Sequence, residues 1–563
     1  MLIAVALVGL GACGGDDAPA DDLDAGIDAA IDAPDPTAAL FDPDRVIEVA
    51  IEMPEADWDE VRTQTRPSDV LIGADCQAMP FGSPFTARSA TVTIDGHRLE
   101  QVGVRKKGFL GSLDDDKPSL KLKLDDVVVD GQAVAGVRSL TLNNNRQDPS
   151  NVRQCLTYRL FAAAGVPAPR CNFAHVTING RDLGVFTHVE SVGKPFLRRH
   201  FASDTGRLYE GTLADFRDGW LATFEPKTDE ANPDRSDLQA VATALAAPDG
   251  QLLAALAPVI DVDRFITFWA METLVDHVDG YAGNTNNFFV YRDPATARFG
   301  FLPWGTDGTL RTPNADPPSL MAEGVLARRL YLLPETRARY VARMTELLDT
   351  VWDAPARRAD LDRMQAQLSP LLAGDPFADG VDVAAAIDEV RAFIDTRRAR
   401  LAPVLAAPPP LPRPLRSSYC FIELGPIHAT FTTTFKHAEP PDVFLAGSGT
   451  ITGSIAGAPI ASTRTGSNAA PADDGHVAVQ LFALESPTAV LVAVVNLAPS
   501  QLAPGTVPIE VFSSYVFRFD LMTGGGEVVG YLLGGTLALT QGGTTEGAPV
   551  VGRFDSVVYS SPF

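Results

Sequence analysis

The chain has 563 residues, with 71 acidic against 46 basic side chains, a formal net charge of -25 and a pI near 4.7. At roughly 150 residues per domain this length allows two to four domains. Apolar residues make up 45% and charged residues 21% of the chain, which is ordinary globular usage and excludes wholesale disorder. The negative charge opposes attraction to nucleic acid and anionic lipid, so we expect no nucleic-acid partner.

Residues 1–12 predict an export signal. An apolar run to Leu10 leads into two small residues and Cys13, which is typical of a bacterial lipoprotein signal cleaved before a cysteine whose thiol is then lipidated. No Lys or Arg precedes the run, and a cleaved signal without lipid is the alternative. We expect a lipid-anchored protein of the bacterial cell envelope, at the outer membrane because Gly14 follows the cysteine. The lipid would be its only membrane contact.

Composition divides the rest of the chain into four parts. Residues 13–40 form an acidic tether rich in Asp, Ala and Pro, which buries too little apolar area to fold. Residues 41–402 mix strand and helix patterns, and residues 403–416 form a stiff proline-rich linker. Residues 417–563 carry short apolar runs between glycines, which is typical of an all-β sandwich or barrel.

Within residues 41–402, strands precede helices. Period-two alternation predicts half-buried antiparallel strands at Ala90–Asp95, Val102–Arg105, Ser119–Leu124, Phe173–Ile178 and Leu183–Val189. Helical spacing predicts helices from Asp148, as N-cap, to Gly165, from Asp261 onward, over Val325–Thr350 and over Ala384–Leu405. The fold class is therefore α+β, with a small β-rich lobe over about 45–190 and a mostly helical lobe over about 191–402.

Four cysteines remain besides Cys13: Cys76, Cys155, Cys171 and Cys420. In an oxidising compartment they allow two disulfides in three connectivities. We favour Cys155 with Cys171, because the helix with the first leads through a Gly-Pro turn to a strand beginning at the second. Zinc-site spacings are absent from the sequence, so a structural zinc site is not expected.

A loop rich in oxygen ligands follows the first large helix of the second lobe. It contains Asp279, Asn284, Asn286 and Asn287, and opens into an apolar strand. An acid and an amide five residues apart, as at Asp279 and Asn284, can hold Mg²⁺ and a hydroxyl group together. Asp307 ends the next strand and completes a plausible metal cradle. The alternative is that these residues only make the turn.

Lysine is rare and clustered. Five of the eight lysines lie between positions 106 and 123, while arginine is the basic residue nearly everywhere else. Lysine binds phosphate as a point charge, so the cluster favours phosphate contact. The alternative is that Lys121 and Lys123, which alternate with leucines, form the wet face of a strand.

Several motifs occur in the order seen in the CotH kinase family, whose members resemble atypical protein kinases. They are Arg105–Gly108, Lys117–Lys121, Asp148–Arg153, Gly165–Pro169, Gly184–Glu190, Leu208–Gly211, Asp279–Asn287 and Pro303–Trp304. The resemblance covers about residues 45 to 400. It implies a two-lobed kinase-like domain that uses ATP and Mg²⁺ to phosphorylate hydroxyl groups of a protein substrate, which the sequence leaves unidentified.

For nucleotide binding, the resemblance implies roles in the small lobe. The turn with Arg105 and Lys107 resembles the phosphate-covering loop. Lys121 resembles the phosphate-pairing lysine, with Lys117 as the alternative. Glu190 would partner one of the lysines or mark the lobe junction.

For catalysis and metal binding, Asp279 resembles the catalytic-loop aspartate, and Asn284 or Asn286 the metal-binding asparagine. The family typically has Pro-Trp-Asp-x-Asp, whereas this chain has Gly305 at the first aspartate and keeps Asp307. Either Asp307 holds the metal or phosphoryl transfer is lost. The second case predicts a catalytically inactive surface lipoprotein that acts as a binding or structural protein.

Overall fold

The computed structural model describes residues 35–125, 131–311, 320–378, 380–411, 414–436, 446–472, 475–509 and 513–560. The predicted signal sequence, Cys13 and most of the predicted acidic tether lie outside these ranges. The described chain forms two compact units. The first holds the residues up to Arg66 together with Ala78–Leu415, and the second holds Pro67–Gln77 together with Arg416 onward.

The first unit begins with a closed seven-stranded barrel in the order β1-β2-β3-β4-β5-β7-β6. The strands are β1 (Val46–Glu52), β2 (Arg88–Ile94), β3 (His97–Lys106), β4 (Leu120–Lys123), β5 (Ser139–Asn143), β6 (Cys171–Ile178) and β7 (Arg181–Val189). Neighbours are antiparallel except β1 and β6, which close the barrel in parallel. Alternate residues such as Val104 and Leu122 fill the core, so the five predicted strands are confirmed.

Helix α2 (Arg153–Ala163) packs beside the barrel, after α1 (Glu55–Thr63). The prediction placed its N-cap at Asp148, but the helix begins at Arg153. Asp148 and Ser150 instead form a turn, and the Asp148 carboxylate accepts from the Arg153 backbone N–H at 2.9 Å. The favoured disulfide between Cys155 and Cys171 is present and ties α2 to β6.

The second part of this unit combines a four-stranded sheet, ordered β11-β10-β8-β9, with helices. Its strands are β8 (Arg207–Gly211), β9 (Phe224–Pro226), β10 (Phe288–Asp293) and β11 (Arg298–Pro303). Its helices are α3 (Lys194–His200), α4 (Ser236–Leu245), α5 (Leu252–Leu256), α6 (Val262–Leu274), α7 (Tyr281–Asn284), α8 (Val325–Leu332), α9 (Pro334–Thr350), α10 (Ala354–Leu372) and α11 (Val383–Ala406).

Two helix predictions need comment. The helix predicted from Asp261 onward is confirmed, and Asp261 caps α6 by accepting from the Arg264 N–H at 3.1 Å. The single helix predicted over Val325–Thr350 is wrong, because α8 ends at Leu332 and α9 begins at Pro334. A proline disfavours helical geometry in the residue before it, and Leu333 is extended.

The second unit is all-β in its described residues, apart from short 3₁₀ turns, and contains an eleven-stranded antiparallel sheet. Its strands are β12 (Glu423–Thr434), β13 (Gly447–Ile455), β14 (Ala458–Pro459), β15 (Arg464–Pro471), β16 (Val477–Leu484), β17 (Ala489–Leu497), β18 (Gly505–Pro508), β19 (Tyr515–Asp520), β20 (Gly526–Leu532), β21 (Thr536–Gln541) and β22 (Pro549–Ser560). The predicted fold class, α+β followed by an all-β region, is confirmed.

Residues 67–77 join this second unit through a disulfide between Cys76 and Cys420 and a backbone bridge between Ile72 and Phe421. Helix α11 extends to Ala406, so it includes the first residues of the proline-rich segment predicted as a linker. In the described part of the chain, none of the helices combines the length and apolar character that a membrane span needs.

Candidate functional site

A cavity of about 240 Å³ lies in the first unit, between loops of the barrel and the second sheet. Its lining includes five residues predicted for function: Arg105, Lys107, Asp279, Asn286 and Asp307. The two basic residues come from the end of β3, the next two from the loop between α6 and β10, and Asp307 from the turn after β11. The fold therefore brings residues from distant parts of the sequence to one site.

Asp279 is held by the asparagines that follow it. Its carboxylate accepts from the side-chain amides of Asn284 at 2.7 Å, Asn286 at 3.2 Å and Asn287 at 2.7 Å. The Asn286 amide oxygen accepts from the Leu213 backbone N–H at 3.2 Å. Burial raises the pKa of Asp279, and the three amides act in the opposite direction. The loop thus fixes an acid whose ionised form is supported by neutral donors alone.

Beneath this loop lies a buried glutamate that fixes its backbone. Glu272, on α6, accepts from the backbone N–H groups of Tyr281 and Ala282, both at 2.8 Å. A Cβ at Gly280 would lie 2.2 Å from this carboxylate, so only glycine fits there. Burial raises the pKa of Glu272 to about 8. His277 Nε2 lies 3.3 Å from the Gly305 carbonyl and links this loop to the turn carrying Asp307.

Asp307 shows the chemistry expected of a cation ligand. Among the described residues, its carboxylate forms no ion pair and no hydrogen bond to another side chain. Burial raises its pKa to about 6, and the charges of Asp148 and Asp279 add to this effect, while Lys107 opposes it. Two nearby carboxylates without a paired cation suit a hard divalent ion such as Mg²⁺, which takes one or two carboxylates from protein.

Lys107 is the predicted lysine that lines the cavity. Its ammonium donates to Asn143 Oδ1. Burial lowers its pKa to about 8, with Asp307 and Glu210 opposing the effect. Arg105, which also lines the cavity, donates to Ser83 Oγ at 2.6 Å. The cavity therefore has a cationic wall facing its two aspartates.

Four other predicted residues lie outside the lining of this cavity. Lys121 donates to Thr141 and Ser191. Lys117 pairs with buried Asp375 at 3.2 Å. Glu190 pairs with Arg170 and Arg199 rather than with a lysine, and Asn284 acts through Asp279. Lys107 thus lines the cavity, whereas Lys121 lies beside it, close enough to Arg105, Lys107 and Lys227 for their charges to lower its pKa.

Sequence reasoning missed four charged residues of the lining: Arg66, Glu210, Glu225 and Lys227. Lys227 forms ion pairs with Glu210 at 2.8 Å and Glu225 at 2.7 Å. Glu210 lies in the recognised Leu208–Gly211 motif, which was a signal that could have been followed. Glu225 lies on the short strand β9 and Lys227 directly follows it. The sequence around them has no pattern that identifies them as site residues.

Comparison with known proteins identifies the family to which the chain is similar. The family described as "CotH kinase protein" matches residues 104–401, more than half of the chain. The inner spore coat protein H of Bacillus subtilis is 23% identical over 259 residues, which cover 43% of this chain and 71% of that protein. The invasin CotH7 of Rhizopus delemar is 25% identical over 234 residues, covering 38% of this chain and 39% of the invasin.

Among solved structures, the proinflammatory kinase CtkA of Helicobacter pylori aligns with 53% of this chain and 93% of that chain, at 11% identity and a TM-score of 0.27. So low a score supports no conclusion about this protein. The family match runs from the end of β3 into α11 and includes the five cavity residues predicted for function. On that match, the chain belongs to the CotH kinase family.

Proposed function

We propose that this protein is an extracytoplasmic phosphotransferase that uses ATP and Mg²⁺ to phosphorylate hydroxyl groups of a protein substrate. One observation carries the proposal: Arg105 and Lys107 line the same cavity as Asp279 and Asp307. Cations for phosphate, a carboxylate for the metal and a carboxylate for the acceptor are the parts that phosphoryl transfer needs.

The cationic wall would bind the phosphates of ATP. Lys107 and Arg105 supply cationic donors, and charge-assisted hydrogen bonds to phosphate are among the strongest in proteins. Gly108, with φ of 131°, begins the loop after Lys107. A Cβ there would lie 2.7 Å from Ser112 Oγ, so the glycine lets this loop fold tightly over the site.

Asp307 would hold Mg²⁺, with Asn284 or Asn286 as the amide candidate from the resemblance. When bound, Mg²⁺ neutralises charge on the phosphates. Asp307 supplies an unpaired carboxylate for this. Burial raises its pKa, with a smaller contribution from the charges of Asp148 and Asp279, and a bound cation would favour its ionised form.

Asp279 would orient the acceptor. The acceptor oxygen attacks the terminal phosphorus, the bond from that phosphorus to ADP breaks, and the hydroxyl proton passes to the Asp279 carboxylate. Three amides hold this carboxylate in one orientation, and orientation supplies much of the rate in such reactions.

The test is the thermal unfolding of the protein with ATP, with and without Mg²⁺. At 100 times its dissociation constant, a ligand stabilises by about 2.7 kcal/mol. We expect this stabilisation in the wild type, its loss in Asp307→Ala, and its retention in Asp279→Ala, which should still lose phosphate transfer to a generic protein acceptor such as casein. Asp59→Ala, at an exposed acid on α1, is the matched control and should change neither.

A second function is favoured by Gly305, which stands where the family typically has an aspartate. Without that carboxylate, the protein would be an inactive surface lipoprotein that acts by binding. In that case, Mg²⁺ adds nothing to nucleotide binding and Asp307→Ala has no effect. That outcome would replace the phosphotransferase proposal.

A further inference from the structure

Three side chains form a row that leads away from the cavity. Lys107 donates to Asn143 Oδ1, and Asn143 Nδ2 donates to Gln154 Oε1 at 2.7 Å. Asn143 is the last residue of β5 and lines the cavity, whereas Gln154 lies on α2 and is 1% exposed. The row connects the phosphate wall to the interior of the unit.

The lysine decides how both amides are oriented. An ammonium has donors and no acceptor, so Asn143 must turn its oxygen toward Lys107. Its amide nitrogen then faces Gln154 and requires an acceptor, so Gln154 must present its oxygen. The donor at Lys107 thus determines the orientation of both amides, in agreement with the observed hydrogen bonds.

Gln154 is firmly placed. The next residue, Cys155, forms the disulfide to Cys171 on β6. The preceding residue, Arg153, is 2% exposed and pairs with Asp148 and Glu389. A fixed acceptor at 154 holds Asn143, and Asn143 in turn holds the Lys107 ammonium in one place.

This arrangement leaves Lys107 without a carboxylate partner. Three other lysines of the unit pair with acids: Lys106 with Asp115 at 2.7 Å, Lys117 with Asp375 at 3.2 Å and Lys227 with two glutamates. Lys121 donates to the hydroxyl groups of Thr141 and Ser191. Within the described ranges, no acid lies at ion-pair distance from Lys107. A neutral amide orients the ammonium while leaving its charge to act on a ligand.

We propose that Asn143, anchored by Gln154, is a positioning residue that presents the Lys107 ammonium to a phosphate group without neutralising it. The inference rests on the proposed function in placing phosphate in this cavity. It adds that Lys107 is the phosphate-contacting lysine and that a neutral side chain at position 143 determines the affinity of the cavity for anions.

The test measures pyrophosphate binding to the full chain by calorimetry, without metal. Asn143→Asp keeps the shape of the side chain but gives Lys107 a carboxylate, so we expect the affinity to fall by about tenfold or more, as for loss of a charge-assisted contact. Gln147→Glu adds the same charge to the cavity lining away from Lys107, and we expect a fall of about threefold at most. Equal effects of the two variants would overturn the proposal.

A pH series distinguishes positioning from a structural role. The affinity of the wild type should fall as pH rises through about 8, where Lys107 loses its proton; Asp307, Glu210 and Arg105 are the charged groups acting on it. In Asn143→Asp the midpoint should move to higher pH, because an adjacent carboxylate favours the ammonium. An unchanged midpoint contradicts the inference.

Two further outcomes are decisive. If Asn143→Asp does not fold, Gln154→Met, which removes only the anchor, should weaken binding by about threefold or more, and unchanged affinity would overturn the inference. Failure of the wild type to bind pyrophosphate would also overturn the inference. A wild type that binds pyrophosphate but transfers no phosphate from Mg²⁺-ATP would refute the proposed function and leave this inference standing.

Discussion

Asn287 occupies the space that a side chain at Gly305 would need. A Cβ built on Gly305 would lie 2.5 Å from Asn287 Cγ, and the Gly305 backbone is left-handed, with φ of 51°. The Asn287 amide in that space donates to Asp279 at 2.7 Å. An aspartate at 305 would therefore clash with an asparagine that supports the Asp279 carboxylate.

Gly305→Asp should consequently weaken Mg²⁺-ATP binding, by about tenfold or more, because the new side chain overpacks the space filled by Asn287 and shifts the turn that carries Asp307. The double variant Asn287→Gly with Gly305→Asp clears the space and should recover most of the affinity. Gly308→Asp, at a glycine with open space around it, is the control. Titration calorimetry measures the affinity of each variant for Mg²⁺-ATP. Tighter binding by Gly305→Asp alone would contradict the expectation.

Replacing Lys121 should stabilise the protein without affecting nucleotide binding. Burial lowers the pKa of Lys121 to about 7, and nearby cations add to this effect, so holding it charged is costly. In Lys121→Met, Thr141 and Ser191 can bond each other, as they already do at 3.1 Å.

The pKa of Lys121 is about 7 in the folded protein, against 10.5 for a free lysine. The charged lysine therefore destabilises the folded state fully below pH 7, and this destabilisation disappears above pH 10.5. We expect a gain of about 1 kcal/mol at pH 6 in denaturant unfolding, and none near pH 11. Loss of nucleotide binding in Lys121→Met would restore Lys121 as the phosphate lysine.

His188 should make the first unit sensitive to acid. Burial lowers its pKa to about 3; its ring stacks on Phe41 and contacts Asn172 at 2.8 Å. Between about pH 3 and 6.5 the unfolded state therefore carries more protons, and stability falls as pH falls. Relative to His188→Gln, the wild type should lose up to about 1.4 kcal/mol per pH unit in this range. His97→Gln, at an exposed histidine, should leave the slope unchanged.

Lipidation of Cys13 is a prediction from sequence alone. Cys13→Ser should move the protein from the membrane fraction of a bacterial cell to the soluble fraction, because the acyl chains require the thiol. Fractionation with detection by antibody measures this. A serine variant that remains wholly with the membranes would refute the prediction.

Local patterns predicted the elements better than the site. Alternation located five barrel strands, because each has one face in the core, and helical spacing located α6 from Asp261 onward. The barrel closure between β1 and β6 was not predictable, because their pairing depends on residues more than 100 positions apart. Local spacing carries no information about such contacts.

The choice among the lysines shows the same limit. Lys107 and Lys121 both lie in the cluster, and sequence favoured the strand lysine by resemblance. In the structure Lys107 lines the cavity, whereas Lys121 donates to Thr141 and Ser191. The position of Lys107 depends on the geometry of the turn after β3. The role of Lys227 could not be predicted from the sequence, because its ion pairs with Glu210 and Glu225 form only in the folded sheet.

The two disulfides are nested: the bond between Cys155 and Cys171 lies within the stretch between Cys76 and Cys420. When a chain crosses a membrane from its N-terminus, Cys76 emerges first and meets two cysteines before its own partner. Pairing in order of appearance would join Cys76 to Cys155 and leave Cys171 for Cys420. Correct oxidation therefore depends on Cys76 staying reduced until Cys420 arrives, or on a disulfide isomerase, so preparations of this protein should be checked for the mispaired form.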